Sequence, residues 1–476
     1  MKLSNILAGL NFFVEVDLEI NGICMDSRRV QAGDLFVCIP GLQVDGHDFA
    51  AAAAEAGAAA IICQRPLDVD LPQFIVDNPR LALCTICDNF YGQPAANMQI
   101  IGITGTNGKT STVYFVEQIL RHFGKRVGAI GTLEAKLDGQ PLDIPFATPT
   151  TPDTIELYRI LRAMADQGAE YVVMEVSSHA LALDKVMAIP FALGLFTNLS
   201  QDHLDFHGTM EKYLEAKSLL FSLSNEGIIN ADDQTMEYLL NVAKCPMRTF
   251  GIDGGDFRAE GVELGEDGVK YAVDGINIFV PIPGKFTVYN TLCAFAAALR
   301  LGFDPADITK ALANLSGVPG RIQRIPNSRG LTVIVDFAHT PDSLANIITS
   351  CREFTAGRII TVFGCGCDRD PSKRPLMGET VGNLSDLAII TSDNPRNENP
   401  ETIIAQAAEG VAKTSCEYIN ITDRRVAIHE AISHATPRDC VIIAGKGHEK
   451  YQEFENGRKI HFDDAQIAKK YMTQAR

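Results

Sequence analysis

Residues 98–116 read MQIIGITGTNGKTSTVYFV, and this stretch decides the fold. It opens on Ile100, Ile101 and Ile103, a short apolar run of the kind that forms a buried parallel strand. Gly102, Gly105 and Gly108 interrupt the run, and Lys109, Thr110 and Ser111 follow. Val113, Val116 and Leu120 then recur on one face of a helix. Strand, glycine turn and helix in that order form the setting that a phosphate-binding loop requires.

Each residue type there has a physical task. Glycines let the backbone turn its N–H groups inward, and the helix N-terminus behind them attracts an anion. Lys109 reaches the β- and γ-phosphates, and the Thr110 hydroxyl can ligate Mg²⁺. The strict spacing G-x-x-x-x-G-K-[ST] would place glycine at 103, where Ile103 stands; the pattern here is G-x-x-G-x-x-G-K-T. Set against a glycine turn with a surface lysine, the flanking strand and helix favour ATP binding. Gly105, Thr106, Asn107, Gly108, Lys109, Thr110 and Ser111 are the candidate contacts.

Outside this stretch, bulk composition sets limits. A chain of 476 residues is too long for one core, and about three domains are expected. The apolar fraction of 46% suffices for globular packing, and no run is long enough to span a membrane. The start, MKLSNILAGLNFF, lacks a basic flank, an apolar core and a cleavage site, so a cytoplasmic protein without membrane insertion is expected. With 42 basic against 59 acidic residues the net charge is −17, which argues against nucleic acid as a partner. Cys84-x-x-Cys87 and Cys365-x-Cys367 have no second pair at zinc spacing. Cys84 and Cys87 fall at helical spacing in an apolar stretch and read as packing.

In order, residues 1–96 form a small α/β unit in which Ser27, Arg28, Gln43 and Asp45 lie in or beside glycine turns. Such turns can hold a polar ligand or simply face water. Residues 97–325 contain the phosphate loop, the hydroxyl-rich ATPTTPD and the strand-like YVVMEVSSHA of 171–180. Glu175 stands at the carboxyl end of that strand, where ligands of parallel sheets gather, and is a candidate Mg²⁺ ligand. Asn198, Asp202, His203, Asp205 and His207 crowd the end of the next strand and suit metal or phosphate contact. Lys217, alone on a helix, reads on spacing as a side chain reaching for solvent. Residues 326–476 restart the α/β alternation, with Asp336 and His339, Arg369, Asp393 to Arg396, and Lys446 to Glu449 each following a strand. Four polar strand ends argue for one shared cleft.

TGTNGKT, MEVSSHAL, FTNLSQDHLDFHG, DFAHTPDSL, FGCGCDRDPSKRPLMG, SDNPR and AGKGHE stand here in one order. In that constellation, over essentially its whole length, the chain resembles a Mur ligase. The resemblance implies an α/β protein of three domains. These are a small N-terminal α/β domain (1–96), a central P-loop ATPase with a parallel sheet (97–325) and a C-terminal Rossmann-like domain bringing the amino acid (326–476). It implies an ATP- and Mg²⁺-dependent, monomeric amide ligase of peptidoglycan synthesis. That ligase joins meso-2,6-diaminopimelate to UDP-N-acetylmuramoyl-L-alanyl-D-glutamate through an acyl phosphate. Relatives that add L-lysine, or glutamate to folate, are the alternatives.

By the same resemblance Ser27 and Gln43 would contact UDP, and Thr150, Thr151, Ser177 and Lys185 the muramoyl-peptide. Thr110, Glu175, His203 and a carbamylated Lys217 would serve Mg²⁺. Asn290, Arg321 and His339 would touch the nucleotide, with Asp336 nearby. Arg369, Asp393, Asn394, Pro395, Arg396, Gly445 and Glu449 would recognise diaminopimelate. Its far end is a second amino-acid head, whose carboxylate Arg396 can grip through two parallel N–H bonds while Glu449 accepts from its ammonium. Lysine lacks that carboxylate and would leave a buried Arg unpaired, at a cost on the order of a few kcal/mol. Leu183 and Lys185 depart from the Gln and Arg of many relatives, as do Thr287 from Asn and Cys367 from Gly.

Overall fold

The apolar run around Ile100 forms the strand Gln99–Thr104 in the middle of a nine-stranded sheet. The computed structural model describes residues 1–476 except 42–43, 145, 147–149, 266, 367–370 and 475–476. The sheet runs Phe257–Arg258, Met247–Gly251, Ser224–Asn230, Phe191–Phe196, Gln99–Thr104, Tyr171–Glu175, Val127–Ile130, Ala135–Leu137, Gln140–Pro141. Its first seven strands are parallel, and the last two join through antiparallel pairing. Helices cover both faces, which is why the central strands are continuously apolar.

A four-stranded parallel sheet precedes it: Gly22–Cys24, Asp34–Val37, Ala60–Cys63 and Gln73–Ile75, in that order. The helix Pro79–Phe90 buries Leu83, Ile86 and Cys87 in a core that also holds Leu157, Tyr158 and Leu161 of the helix Thr154–Asp166. The two sheets therefore share apolar packing. Cys84 is buried as well, its thiol donating to the Asp184 carbonyl at 2.9 Å.

The C-terminal sheet has six strands ordered Gln323–Arg324, Thr332–Asp336, Cys440–Ala444, Ile359–Phe363, Leu387–Thr391 and Glu417–Ile421, parallel except for the first. Alternation along its strands feeds two cores. Val333, Val335, Val441 and Ile443 face one, and Ile334, Ile442 and Phe363 the other. A three-stranded antiparallel sheet (Glu260–Gly265, Gly268–Val273, Ile276–Val280) and a hairpin (Tyr451–Phe454 with Arg458–His461) complete the strands. The chain divides into two compact units, Met1–Ala259 with Tyr289–Ala311, and Glu260–Val288 with Leu312–Arg476. Among the described residues no helix is long and apolar enough to cross a membrane.

One local expectation shifts. The strand expected over 171–180 ends at Glu175, and Ser178–Ala182 is helical. Ser177 caps that helix, its Oγ accepting from the Ala180 amide at 3.1 Å, and this local bond overrides the strand pattern. The helix carrying Asn290 starts at Lys285, so Thr287 lies inside it.

Candidate active site

Gly105 to Gly108 link the central strand to the helix Lys109–His122. Gly108 sits at φ +84°, where a side chain would be strained, and a Cβ there would lie 2.5 Å from Asn290 Oδ1. The loop is held from behind: Asn198 accepts from the Thr106 amide through its carbonyl at 2.8 Å and from the Asn107 amide through Oδ1 at 2.9 Å. Lys109 Nζ donates to the Gly105 and Thr106 carbonyls at 2.9 Å each, so the ammonium lies over the loop. The Lys109, Thr110 and Asn290 expected from sequence thus surround one loop.

Beside it, the Thr110 hydroxyl donates to Glu175 Oε1 at 2.9 Å. Glu175 is 1% exposed, and Thr132 bonds both its oxygens, N–H to Oε1 at 2.8 Å and hydroxyl to Oε2 at 3.2 Å. Hydroxyl and carboxylate oxygens suit a hard cation. Among the described residues no three His, Cys, Asp or Glu side chains form a ready metal cluster. Mg²⁺ needs none, since it binds through one or two carboxylates, retained waters and substrate phosphates. The donor set fits that ion.

Lys217 is buried at 1% exposure on the helix Met210–Ser218. Its Nζ donates to the Gly105 carbonyl at 2.8 Å and lies 4.5 Å from the centre of the Tyr213 ring. Burial, then the nearby Lys109 charge, holds its pKa well below the usual lysine range. The expectation of a solvent-reaching lysine on spacing alone is overturned, because the helix turns this face inward. Tyr213 hydroxyl pairs with Thr106 Oγ1 at 3.2 Å. His203 takes a left-handed backbone (φ +52°), and its ring meets that of His179 edge-on at 4.9 Å. His207, from the same polar cluster, is buried against Ser178 Oγ at 2.9 Å and supports the fold locally.

Thr150 and Thr151 approach Glu175 from the other side. Thr151 Oγ1 donates to the Glu175 carbonyl at 3.0 Å and accepts from the Ser177 amide at 3.0 Å. Thr150 stands at φ +71°, a strained setting for a β-branched residue, with its hydroxyl 3.0 Å from that of Thr132. Lys185 is buried and paired with Asp153 at 2.7 Å. Asp153 also caps the helix Thr154–Asp166. In the first sheet Ser27 opens a short turn capped by Asp26. Gln43 lies outside the described residues.

In the second unit, Asp336 accepts from the Ile322 and Ala338 amides at 2.8 Å each. Burial raises its pKa, against the lowering effect of Arg321. The Arg321 guanidinium lies 4.5 Å above the Phe337 ring, which also packs on His339 and His448. Burial, then the Arg321 charge, lowers His448 to about 4.

A second polar cluster follows the strands Leu387–Thr391 and Cys440–Ala444. Lys446, fully buried, donates to Asn394 Oδ1 at 3.0 Å and Glu449 Oε2 at 2.8 Å, with Asp393 at 3.9 Å. Asn394 Nδ2 also donates to Glu449 Oε2 at 3.0 Å. A Cβ on Gly445, at φ +118°, would press on Asp393 Oδ2 at 2.7 Å. Arg396 Nε donates to Glu453 Oε2 at 3.1 Å. Asp393, Asn394, Arg396, Gly445 and Glu449 therefore lie together, while Arg369 lies outside the described residues. Thr132, Asp153, Tyr213 and Glu453 escaped the sequence reading, since no motif spacing marks them.

Comparison with known proteins matches three stretches of the chain. Residues 19–88 match the family model described as Mur ligase family, catalytic domain. Residues 103–298 match the Mur ligase middle domain, and 320–447 the Mur ligase, glutamate ligase domain. A Bacillus licheniformis protein named UDP-N-acetylmuramoyl-L-alanyl-D-glutamate--2,6-diaminopimelate ligase is 43% identical over 488 aligned residues, covering 99% of each chain. A solved structure of a ligase bearing that name superposes with a TM-score of 0.71 at 30% identity, covering 99% of both chains. A MurF ligase from Thermotoga maritima in complex with ADP shares the fold, with a TM-score of 0.62 at 20% identity over 96% of this chain and 99% of that one. Matched along its whole length and in all three of its segments, the chain belongs to the Mur ligase family.

Proposed function

We propose that this protein is the ATP-dependent ligase that adds meso-2,6-diaminopimelate to UDP-N-acetylmuramoyl-L-alanyl-D-glutamate in peptidoglycan synthesis, and so serves cell shape and division. The 43% identity over 99% of both chains to a relative of that name carries the reading. Residues 1–96 bind the UDP moiety, 97–325 bind ATP, and 326–476 bring the amino acid. The enzyme acts as a monomer in the cytoplasm.

The chemistry has two steps. The D-glutamyl carboxylate attacks the γ-phosphorus of ATP, giving an acyl phosphate and ADP. The diaminopimelate amine then attacks the acyl carbon, an amide forms and phosphate leaves. Phosphoryl transfer of this kind depends on positioning and charge neutralisation. Lys109 supplies a cation over the loop, and Gly105 to Ser111 present N–H groups to the phosphates. Thr110, Glu175, His203 and Lys217 as its carbamate would hold Mg²⁺, which would supply further neutralisation of phosphate charge. Asn290, Arg321 and His339 contact the nucleotide.

Ser27 and Gln43 bind UDP, while Thr150, Thr151, Ser177 and Lys185 hold the muramoyl-peptide. Because Lys185 already pairs with Asp153 at 2.7 Å, it acts as half of a neutral pair. Arg369, Asp393, Asn394, Pro395, Arg396, Gly445 and Glu449 receive the far head of diaminopimelate.

The test is phosphate release from ATP in the presence of the UDP-muramoyl-dipeptide, with meso-diaminopimelate and L-lysine in parallel. Release with diaminopimelate alone, with a tripeptide product, is expected. Equal turnover with lysine would overturn the amino-acid assignment, and silence with both would overturn the peptidoglycan-substrate reading.

A further inference from the structure

The Asp393–Asn397 turn is held by a segment that lies beyond the matched domain model, which ends at residue 447. That segment is the hairpin Tyr451–Phe454 with Arg458–His461. A row of bonds joins the two. Gln452 Nε2 donates to the Asp393 carbonyl at 2.7 Å, and the Glu453 amide to Asn394 Oδ1 at 3.0 Å. The Arg396 amide donates to the Glu453 carbonyl at 3.1 Å, and the Asn456 amide to Asn397 Oδ1 at 3.2 Å.

Glu453 grips Arg396 twice, through its carbonyl and through Oε2, which takes Nε at 3.1 Å. Arg396 needs such a grip, because its backbone sits at φ +43°, a conformation that side-chain-bearing residues rarely adopt. Fixing Nε also fixes the plane of the guanidinium, and with it the direction of the two terminal nitrogens. Bidentate recognition of a carboxylate depends on that plane.

We propose that Glu453 is a positioning residue that aims Arg396 at the far carboxylate of the incoming amino acid, and thereby selects diaminopimelate over lysine. This rests on the reading of Arg396 as the group that grips that carboxylate. Lysine has no such carboxylate, so its use is independent of Glu453.

The experiment compares Glu453→Leu, Arg396→Ala and the double variant, measuring KM for each of the three substrates. Leucine keeps the bulk and strand preference of the hairpin while removing the acceptor. Glu453→Leu is expected to raise KM for meso-diaminopimelate about tenfold with kcat nearly unchanged, since a charge-assisted bond is lost from binding. KM for ATP and for the nucleotide substrate stays, and kcat/KM with lysine stays. In the Arg396→Ala background Glu453→Leu adds nothing, while Glu453→Gln, which keeps an acceptor, recovers part of the loss. An unchanged KM for diaminopimelate, a common rise for all three substrates, or full additivity with Arg396→Ala would overturn the proposal. An Arg396→Ala variant with unaltered KM would instead overturn the carboxylate grip itself.

Discussion

Lys109 and Lys217 donate to one and the same oxygen, the Gly105 carbonyl, at 2.9 and 2.8 Å. Two ammonium groups on a single acceptor would repel, and burial with the nearby Lys109 charge already disfavours the ammonium form of Lys217. Conversion of Lys217 to a carbamate would replace that repulsion with attraction to the Lys109 ammonium. Lys217→Arg keeps a cation and takes no carbamate, so it is expected to lower phosphate release by about 100-fold, the scale of removing a key electrostatic group. Near-normal turnover in that variant would sink the carbamate.

The loop itself tolerates no side chain at Gly108. Its φ of +84° and the 2.5 Å approach of a Cβ to Asn290 Oδ1 act together. Gly108→Ala is expected to cost about 1–3 kcal/mol of stability and to raise KM for ATP. Urea unfolding and an ATP titration check the two effects separately.

A pH effect follows from His448, lowered to about 4 by burial and Arg321 from an ordinary 6.5. The folded protein keeps this ring neutral, while the unfolded chain protonates it below 6.5. Its contribution is therefore complete above the unfolded value and is lost as pH falls toward the folded one, with a slope of up to about 1.4 kcal/mol per pH unit. Unfolding free energies measured across that window are expected to fall less steeply in His448→Gln. An unchanged slope would mean that the ring is hydrated in the fold.

Arg424 and Asp464 form a two-bond ion pair, Nε to Oδ1 at 2.9 Å and Nη2 to Oδ2 at 2.7 Å, with both side chains fully buried. The same Nη2 donates to the Ala444 carbonyl at 2.9 Å, just before Gly445. Asp464→Ala strands a buried guanidinium and is expected to cost about 3–5 kcal/mol, whereas Arg424→Met with Asp464→Leu should cost much less. Chemical denaturation of the three proteins decides it. A double variant as unstable as the single one would show that the Ala444 contact dominates.

Much of this molecule could be read from its sequence. The Ile100–Ile103 run, the glycines and Lys109 lie within a dozen residues, so local rules of strand, turn and helix place them without tertiary information. The apolar strands preceding Glu175, Asp336 and Asn394 put those polar groups at strand ends for the same reason. Tertiary structure decided what depends on partners distant in the chain. Lys217 read as solvent-reaching because its helix carries no sign of which face turns inward; the fold buries it against Gly105, 112 residues earlier. Lys185 read as a substrate contact, and only packing joins it to Asp153. Glu453 carries no motif at all, yet it reaches Arg396, 57 residues away, because the hairpin folds back on the turn. Periodicity encodes local geometry, whereas the choice of partner for a buried charge is settled when separate elements pack and leave it nowhere else to bond.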